Sequence, residues 1–294
     1  MTASAEASLH ELGAPARSFR QDSWRRFRSN RLAIVGMVLV IFLLFVGIIG
    51  PFLVQDPLTQ ERLLFKTGPD ANHWFGTDQI GRDVFARVVY GVRLSLFIGF
   101  LVTMLEVFIG ITLGAIAGWS GRWSDAIIMR IVDVLLAIPY FILAVAFIQI
   151  VGRGISAVVV TLVVTSWLIT ARVVRGSMLQ SKRFDYVEAA RAIGVPTRRI
   201  ITRHILPNII QPILVLAAIG IGSAVLAEAA LSFLGVGVQE PTPSLGLMIA
   251  RSNSFFSEAP GLLIFPGIAI VLTVLGFLLI GDGLRDALDV KEEA

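Results

Sequence analysis

The sequence predicts an all-α membrane protein with six transmembrane helices, and three observations carry that expectation. Hydrophobic residues make up 55% of the chain and charged residues only 16%, where a soluble domain carries about 25% charged residues. The mean hydropathy is +0.80. The apolar residues also cluster into six runs, 32–54, 94–118, 131–151, 155–171, 209–227 and 259–281, near the roughly 20 residues that cross a hydrocarbon core.

The elements follow in chain order. Residues 1–31 are polar and carry Arg17, Arg20, Arg25, Arg26, Arg28 and Arg31, as a cytoplasmic tail would. Residues 32–54 exceed the short apolar core of a signal peptide and end in Gly50-Pro51 without a small-residue cleavage pattern, so they read as a permanent span. Residues 55–92 form an extracytoplasmic loop punctuated by Pro57, Gly68-Pro69 and Gly76. It closes with DVFARVVYG, where Phe85, Val88 and Val89 share one helical face. A short helix lying at the membrane surface is expected there.

Residues 93–283 then form a five-span body. The run 155–171 is its shortest and needs help from flanking residues. Beyond the run 209–227 the chain continues as EAALSFLGVGVQEPTPSLG. Its glycines and prolines predict a break and a folded external loop. Residues 284–294 form a second cytoplasmic tail. No repeat of 20–50 residues and no low-complexity tract occurs.

A pI near 9.9 points to nucleic acid only until the charges are placed on this topology. With the N-terminus inside and six crossings, internal segments hold 18 of the 25 lysines and arginines. That bias is the positive-inside rule. Both termini and the 182–203 basic cluster face the cytoplasm, and no nucleic-acid reading is needed. Cysteine is absent, which removes disulfide and thiolate chemistry and leaves the redox compartment unread.

The segment DYVEAARAIGVPTRRIITRHILPN, 185–208, is the basic, amphipathic exception between two apolar runs. Asp185 reads as an N-cap with Glu188 three residues on, a variant of the capping box. Ala189 and Ala190 permit close approach by another surface. Gly194 suits a left-handed helix end, and Pro196 can open the next helix at its first turn. Ile200, Ile201 and Ile205 give that second helix an apolar stripe. A helix, a sharp corner and a second helix returning to the membrane result. A solvated loop meeting anionic lipid headgroups is the plainer alternative.

Here the sequence resembles the EAA loop of permease subunits in bacterial ABC importers. Glu188-Ala189-Ala190, Gly194 and Leu206-Pro207 match at the right spacing, while His204 stands where that pattern has an aliphatic residue. The wider chain is similar to the peptide and nickel permease branch, the OppC/DppC type. The stretches carrying that likeness are HWFGTDQIGRDVFARVVYG, AEAALSFLGVGVQEPTPSLG and GDGLRDALDVK, with the arginine-rich preamble. Leu245 replaces a tryptophan common in such loops, a difference expected to mark another docking partner.

The resemblance implies the type I ABC importer transmembrane fold with a cytoplasmic coupling helix in the bacterial inner membrane. It implies a second homologous permease of the OppB/DppB type, two ATP-binding subunits and an extracytoplasmic solute-binding protein. Asp185, Glu188, Ala189, Ala190, Gly194 and Pro196 are then the ATPase-coupling residues. No cofactor and no metal is expected on this chain. ATP and Mg belong to the partner ATPases, since no phosphate-cradling GxxxxGK[ST] loop occurs.

Other residues are weighed for chemistry. Glu106 lies within a span, with Asp133 and Glu228 nearer span ends. An intramembrane carboxylate is a functional candidate by default, yet no second deep charge accompanies Glu106. A packing role is favoured, with Glu106→Gln expected to keep substantial uptake. Asp78 and Asp83 lack a nucleophile or metal-ligand cluster beside them, so helix capping and ion pairs with Arg82 or Arg87 are the ordinary reading. His10, His73 and His204 are isolated and lack zinc spacing. Gly36, Gly47, Gly99, Gly110, Gly114, Gly220 and Gly222 allow close helix contact.

Two rivals stay open at this point. An ion-coupled secondary carrier predicts uptake without an ATPase and dependence on Glu106 or Glu228. A structural subunit of an energy-converting complex predicts no uptake, though no haem or quinone site is visible. Membrane-embedded hydrolysis lacks a nucleophile–base pair.

Overall fold

The computed structural model describes residues 19–61 and 64–288. Arg17, Arg62, Lys291 and His10 lie outside the described residues, as do parts of both predicted tails.

Among the described residues the chain is helical and strandless, with one isolated bridge between Thr77 and Asp83. Helix α1 (Phe19–Ser29) hands over to α2 (Arg31–Ile49) at Asn30, whose side chain accepts hydrogen bonds from the Leu32 and Ala33 amides. That cap satisfies donors the first turn of α2 leaves free. Gly50 and Pro51 then tighten the chain into a 3₁₀ turn, Gly50–Phe52, which ends the span.

The body follows as α3 (Val84–Ser120), α4 (Arg122–Leu136), α5 (Tyr140–Val151), α6 (Ile155–Ser181), α7 (Asp185–Ala192) and α8 (Thr197–Arg199). A π-helical turn, Ile200–Ile205, leads into α9 (Ile210–Phe233), α10 (Leu245–Ser252) and α11 (Gly261–Leu288). Among the described residues five helices are long and apolar enough to cross a membrane, and the count becomes six if the bent pair α4–α5 is one span.

Three expectations are corrected here. The predicted surface helix at 83–91 does not exist separately, because its residues form the first turns of the 37-residue α3. Val84, Ala86, Val88, Val89 and Val92 are buried in the core, so packing on several sides replaces a one-sided interfacial face. The run 131–151 is not a straight span. It bends by 98° between α4 and α5, where Pro139 has no N–H to donate and disfavours a helical residue before it. Leu245 is fully buried, and a Cβ built on Gly91 would lie 2.7 Å from its Cδ2. A side chain sealed in the core marks no docking partner.

Other expectations match. The short run 155–171 gains length by continuing as α6 to Ser181. Helix α9 carries six residues of the EAALSF stretch and then turns at Gly235, whose φ is +75°, into a folded loop.

The main seam runs between α3 and α6. A Cβ on Gly110 would lie 2.7 Å from Thr170 Cβ, one on Gly114 2.8 Å from Val174 Cβ, and one on Gly118 2.6 Å from Met178 Cβ. Glycines four apart share one face of a helix, so this stripe brings the two backbones together as small residues do in membrane interfaces. Helix α11 packs on α2 and α9, with Phe277, Val40, Leu43 and Leu96 in one buried cluster. These seams fix the ends of α3, α6 and α9, between which the basic loop is slung.

Candidate coupling interface

The loop between α6 and α9 is folded and seated. Phe184, in extended conformation, is the N-cap of α7 and offers no side-chain cap bond. The capping-box expectation is therefore corrected by one position. Asp185 is the first helical residue, and with Glu188 it places negative charge in the first turn, where the helix dipole favours it. Gly194 has φ +77°, the left-handed corner expected of it. Pro196 stands one residue before the first turn it was expected to open, extended at φ −62° and ψ 139°. Its carbonyl accepts from the Arg199 amide at 2.8 Å.

Helix α7 has two faces. Val187 is fully buried and Ala190 nearly so. They pack with Ile200 and Ile205 against Ala115 of α3, Val174 and Met178 of α6, and Ile213 of α9. Asp185, Glu188, Ala189, Gly194 and Pro196 are exposed, and Ile193 is 80% exposed. Of the six predicted residues, five share the open side and Ala190 faces inward.

Anchors that the sequence did not disclose hold this unit to the span ends. The Arg191 guanidinium lies 4.6 Å from the centre of the Trp119 ring at the end of α3, and Lys182 Nζ 5.1 Å from it. Such cation–π contacts contribute about 0.5–1 kcal/mol each at exposed sites. Lys182 also donates to the Trp119 carbonyl. Arg175 of α6 grips Asp125 of α4 with two donors, Nη2 to Oδ2 at 2.6 Å. Arg172 reaches Asp133. Sequence separations of 39 to 72 residues hide these pairs. The one visible signal was a tryptophan ending a span opposite a basic loop.

On the opposite face, Asp78 accepts from Arg82 Nε at 2.6 Å, and Arg82 Nη1 donates to Glu240 at 2.9 Å. Asp83 caps α3 by accepting from the Ala86 amide. Both follow the ordinary reading of these carboxylates. His73 is not isolated, however. It is buried, its Nδ1 lies 2.7 Å from Asp83 Oδ2, and its Nε2 is 3.7 Å from Glu61. The Asp83 hydrogen bond raises the His73 pKa above the usual 6.5.

The two buried span carboxylates differ. Glu228 is fully buried and accepts from Ser95, Ser232 and Ser244 at 2.8–3.0 Å. Glu106 has no ion-pair partner among the described residues and lines a cavity of about 300 Å³.

Residues 110–292 match the family described as binding-protein-dependent transport system inner membrane component, and residues 18–69 match the N-terminal TM domain of oligopeptide transport permease C. A dipeptide transport system permease, DppC of Alkalihalophilus pseudofirmus, is 42% identical over 92% of this chain and 90% of its own. The oligopeptide permease OppC of Bacillus subtilis is 38% identical over 93% and 90%. The glutathione permease GsiD of Escherichia coli is 42% identical over 91% and 89%. Among solved structures, an inward-facing MetNI methionine ABC transporter chain aligns with a TM-score of 0.56 at 23% identity, covering 68% of this chain and 96% of that one. That likeness concerns the fold. The family matches concern descent, and with an apolar helical body spanning the membrane several times they make this chain a member of the binding-protein-dependent inner membrane permeases, of the OppC/DppC type.

Proposed function

We propose that this chain is one of two permease subunits in an ATP-driven importer for dipeptides, oligopeptides or glutathione-like solutes. Its relatives are permeases of dipeptide, oligopeptide and glutathione transport systems. A second homologous permease completes the pathway, two ATP-binding subunits dock on the cytoplasmic side, and a solute-binding protein delivers cargo outside. The α7 loop is the coupling element, with its side facing the cytoplasm.

The observation that carries this reading is the division of α7 into an inward face, Val187 and Ala190, packed against three spans, and an outward face that presents Asp185, Glu188 and Ala189. Asp185, Glu188, Ala189, Gly194 and Pro196 meet the ATPase. Val187, Ala190, Ile200 and Ile205 pass its displacement to α3, α6 and α9. ATP binding draws the ATPases together and favours an outward-open packing; hydrolysis restores the inward-facing one. The nucleotide need only bind the two states with different affinity. ATP and Mg stay on the ATPases. This chain contributes the joint.

Purification of the tagged chain in mild detergent tests the proposal. Recovery of a second permease and two ATPases, with ATP-dependent peptide uptake after reconstitution, is expected. Recovery of the chain alone, with uptake driven by an ion gradient, would overturn it.

A further inference from the structure

Glu106 lies midway along the 94–118 apolar run and is 7% exposed. The cavity of about 300 Å³ that it lines is walled by Tyr140, Thr165, Ser166, Gly220 and Ser223, one carboxylate within a ring of hydroxyls. No lysine, arginine or histidine among the described residues pairs with it. An unpaired carboxylate at this depth costs roughly 2.5–3.5 kcal/mol on insertion scales, a cost that hydrogen-bond donors or a bound cation would offset.

The neighbours do so incompletely. Ser166 lines the same cavity, but its hydroxyl donates to the Leu162 carbonyl, and it has a single proton. Thr103, one turn before Glu106, has a buried hydroxyl without any hydrogen-bond partner. Both groups converge on Gly220, where a built Cβ would lie 2.9 Å from Glu106 Oε1 and 3.5 Å from Thr103 Oγ1. An orphaned hydroxyl and an unpaired carboxylate that meet at a glycine gap beside an open cavity offer acceptor oxygens with no cationic donor among the described residues.

We propose that this cavity binds the primary ammonium group of the transported solute, with Glu106 as its counter-charge and the surrounding hydroxyls as hydrogen-bond partners. The site rests on the import reading above and refines it: the permease itself, beyond any binding protein, holds the amino end of the cargo. An ammonium offers three donors, suited to one carboxylate and two hydroxyls. The volume of about 300 Å³ accommodates the amino end of a peptide.

The test uses the assembled transporter, both permeases and both ATPases, in nanodiscs without the binding protein. Millimolar trialanine and N-acetyl-trialanine are compared by saturation-transfer NMR. Trialanine is expected to bind at least tenfold more tightly than its acetylated form to the wild type. Glu106→Gln is expected to bind both alike, and Glu106→Asp to recover part of the preference. Equal binding of the two peptides to the wild type, no binding of either, or an unchanged preference in Glu106→Gln would overturn the proposal. Failure of the wild-type complex with its binding protein to import any peptide would instead sink the import reading.

Discussion

Ser244 Oγ donates to Glu228 Oε1 at 2.8 Å, tying the loop after α9 back onto the helix it leaves. Ser232 donates to the same oxygen and Ser95 of α3 to the other, while the Val238 amide donates to Ser232 Oγ at 3.1 Å. Glu228 is a clamp for the α9–α10 corner.

Glu228→Ala leaves three buried hydroxyls without an acceptor. At about 1–3 kcal/mol for each unsatisfied group, the corner loses roughly 3 kcal/mol or more. Thermal unfolding of the purified complex should show a clear drop in midpoint, with Glu228→Gln in between. An unchanged midpoint for Glu228→Ala would remove the clamp.

His73 supplies a pH dependence of opposite sense to the usual carboxylate case. Its folded pKa lies above the unfolded 6.5 because Asp83 holds the protonated ring. The stabilisation is fully present below pH 6.5 and fades as pH rises through the raised folded value. The wild type should therefore unfold at a lower temperature at pH 8.5 than at pH 6. In His73→Gln that difference should shrink, because the substituted side chain does not titrate. A steeper dependence in the variant would refute the assignment.

Two substitutions on α7 separate docking from seating. Ala189→Trp adds bulk to the exposed face and should abolish ATP-dependent uptake while leaving membrane levels and unfolding midpoint near wild type. Val187→Asp buries a charge in the apolar cluster beneath the loop and should lower both uptake and midpoint, since an uncompensated buried charge is costly. Gly194→Ala meets no atom within 4 Å, so its effect comes from φ +77° alone, about 1 kcal/mol of local strain. Normal uptake in Ala189→Trp would contradict the docking face.

Arg175 and Asp125 join α6 to α4 near the loop. Both side chains are partly exposed, so screening limits a double-mutant cycle to about 1 kcal/mol of coupling. The charge-swapped pair, Arg175→Asp with Asp125→Arg, should recover uptake lost in either single variant. Additive losses would mean that the contact is incidental.

Much of this was legible in the chain. Apolar runs set the spans, Gly194 the corner, and Ile200 and Ile205 the buried stripe, because each depends on residues close in sequence. What escaped depended on distance. The surface helix at 83–91 disappeared because Val84, Val88 and Val92 pack against α2 and α11 residues far along the chain, and amphipathic periodicity cannot tell lipid from protein. The bend at Pro139 followed from one residue that apolar counting ignores. Trp119 beneath Arg191 joins α3 to α7, and the cavity beside Glu106 is lined from α3, α4, α5, α6 and α9, so both required helices far apart in sequence to be placed together.

The central claim is that the α7 corner lies on the cytoplasmic side and meets the ATPases. Because the chain contains no cysteine, Ala189→Cys introduces a single thiol. A membrane-impermeant maleimide should leave it unlabelled in intact cells, label it in inverted vesicles stripped of ATPases, and label it poorly once they are restored. Labelling from outside intact cells would contradict the account.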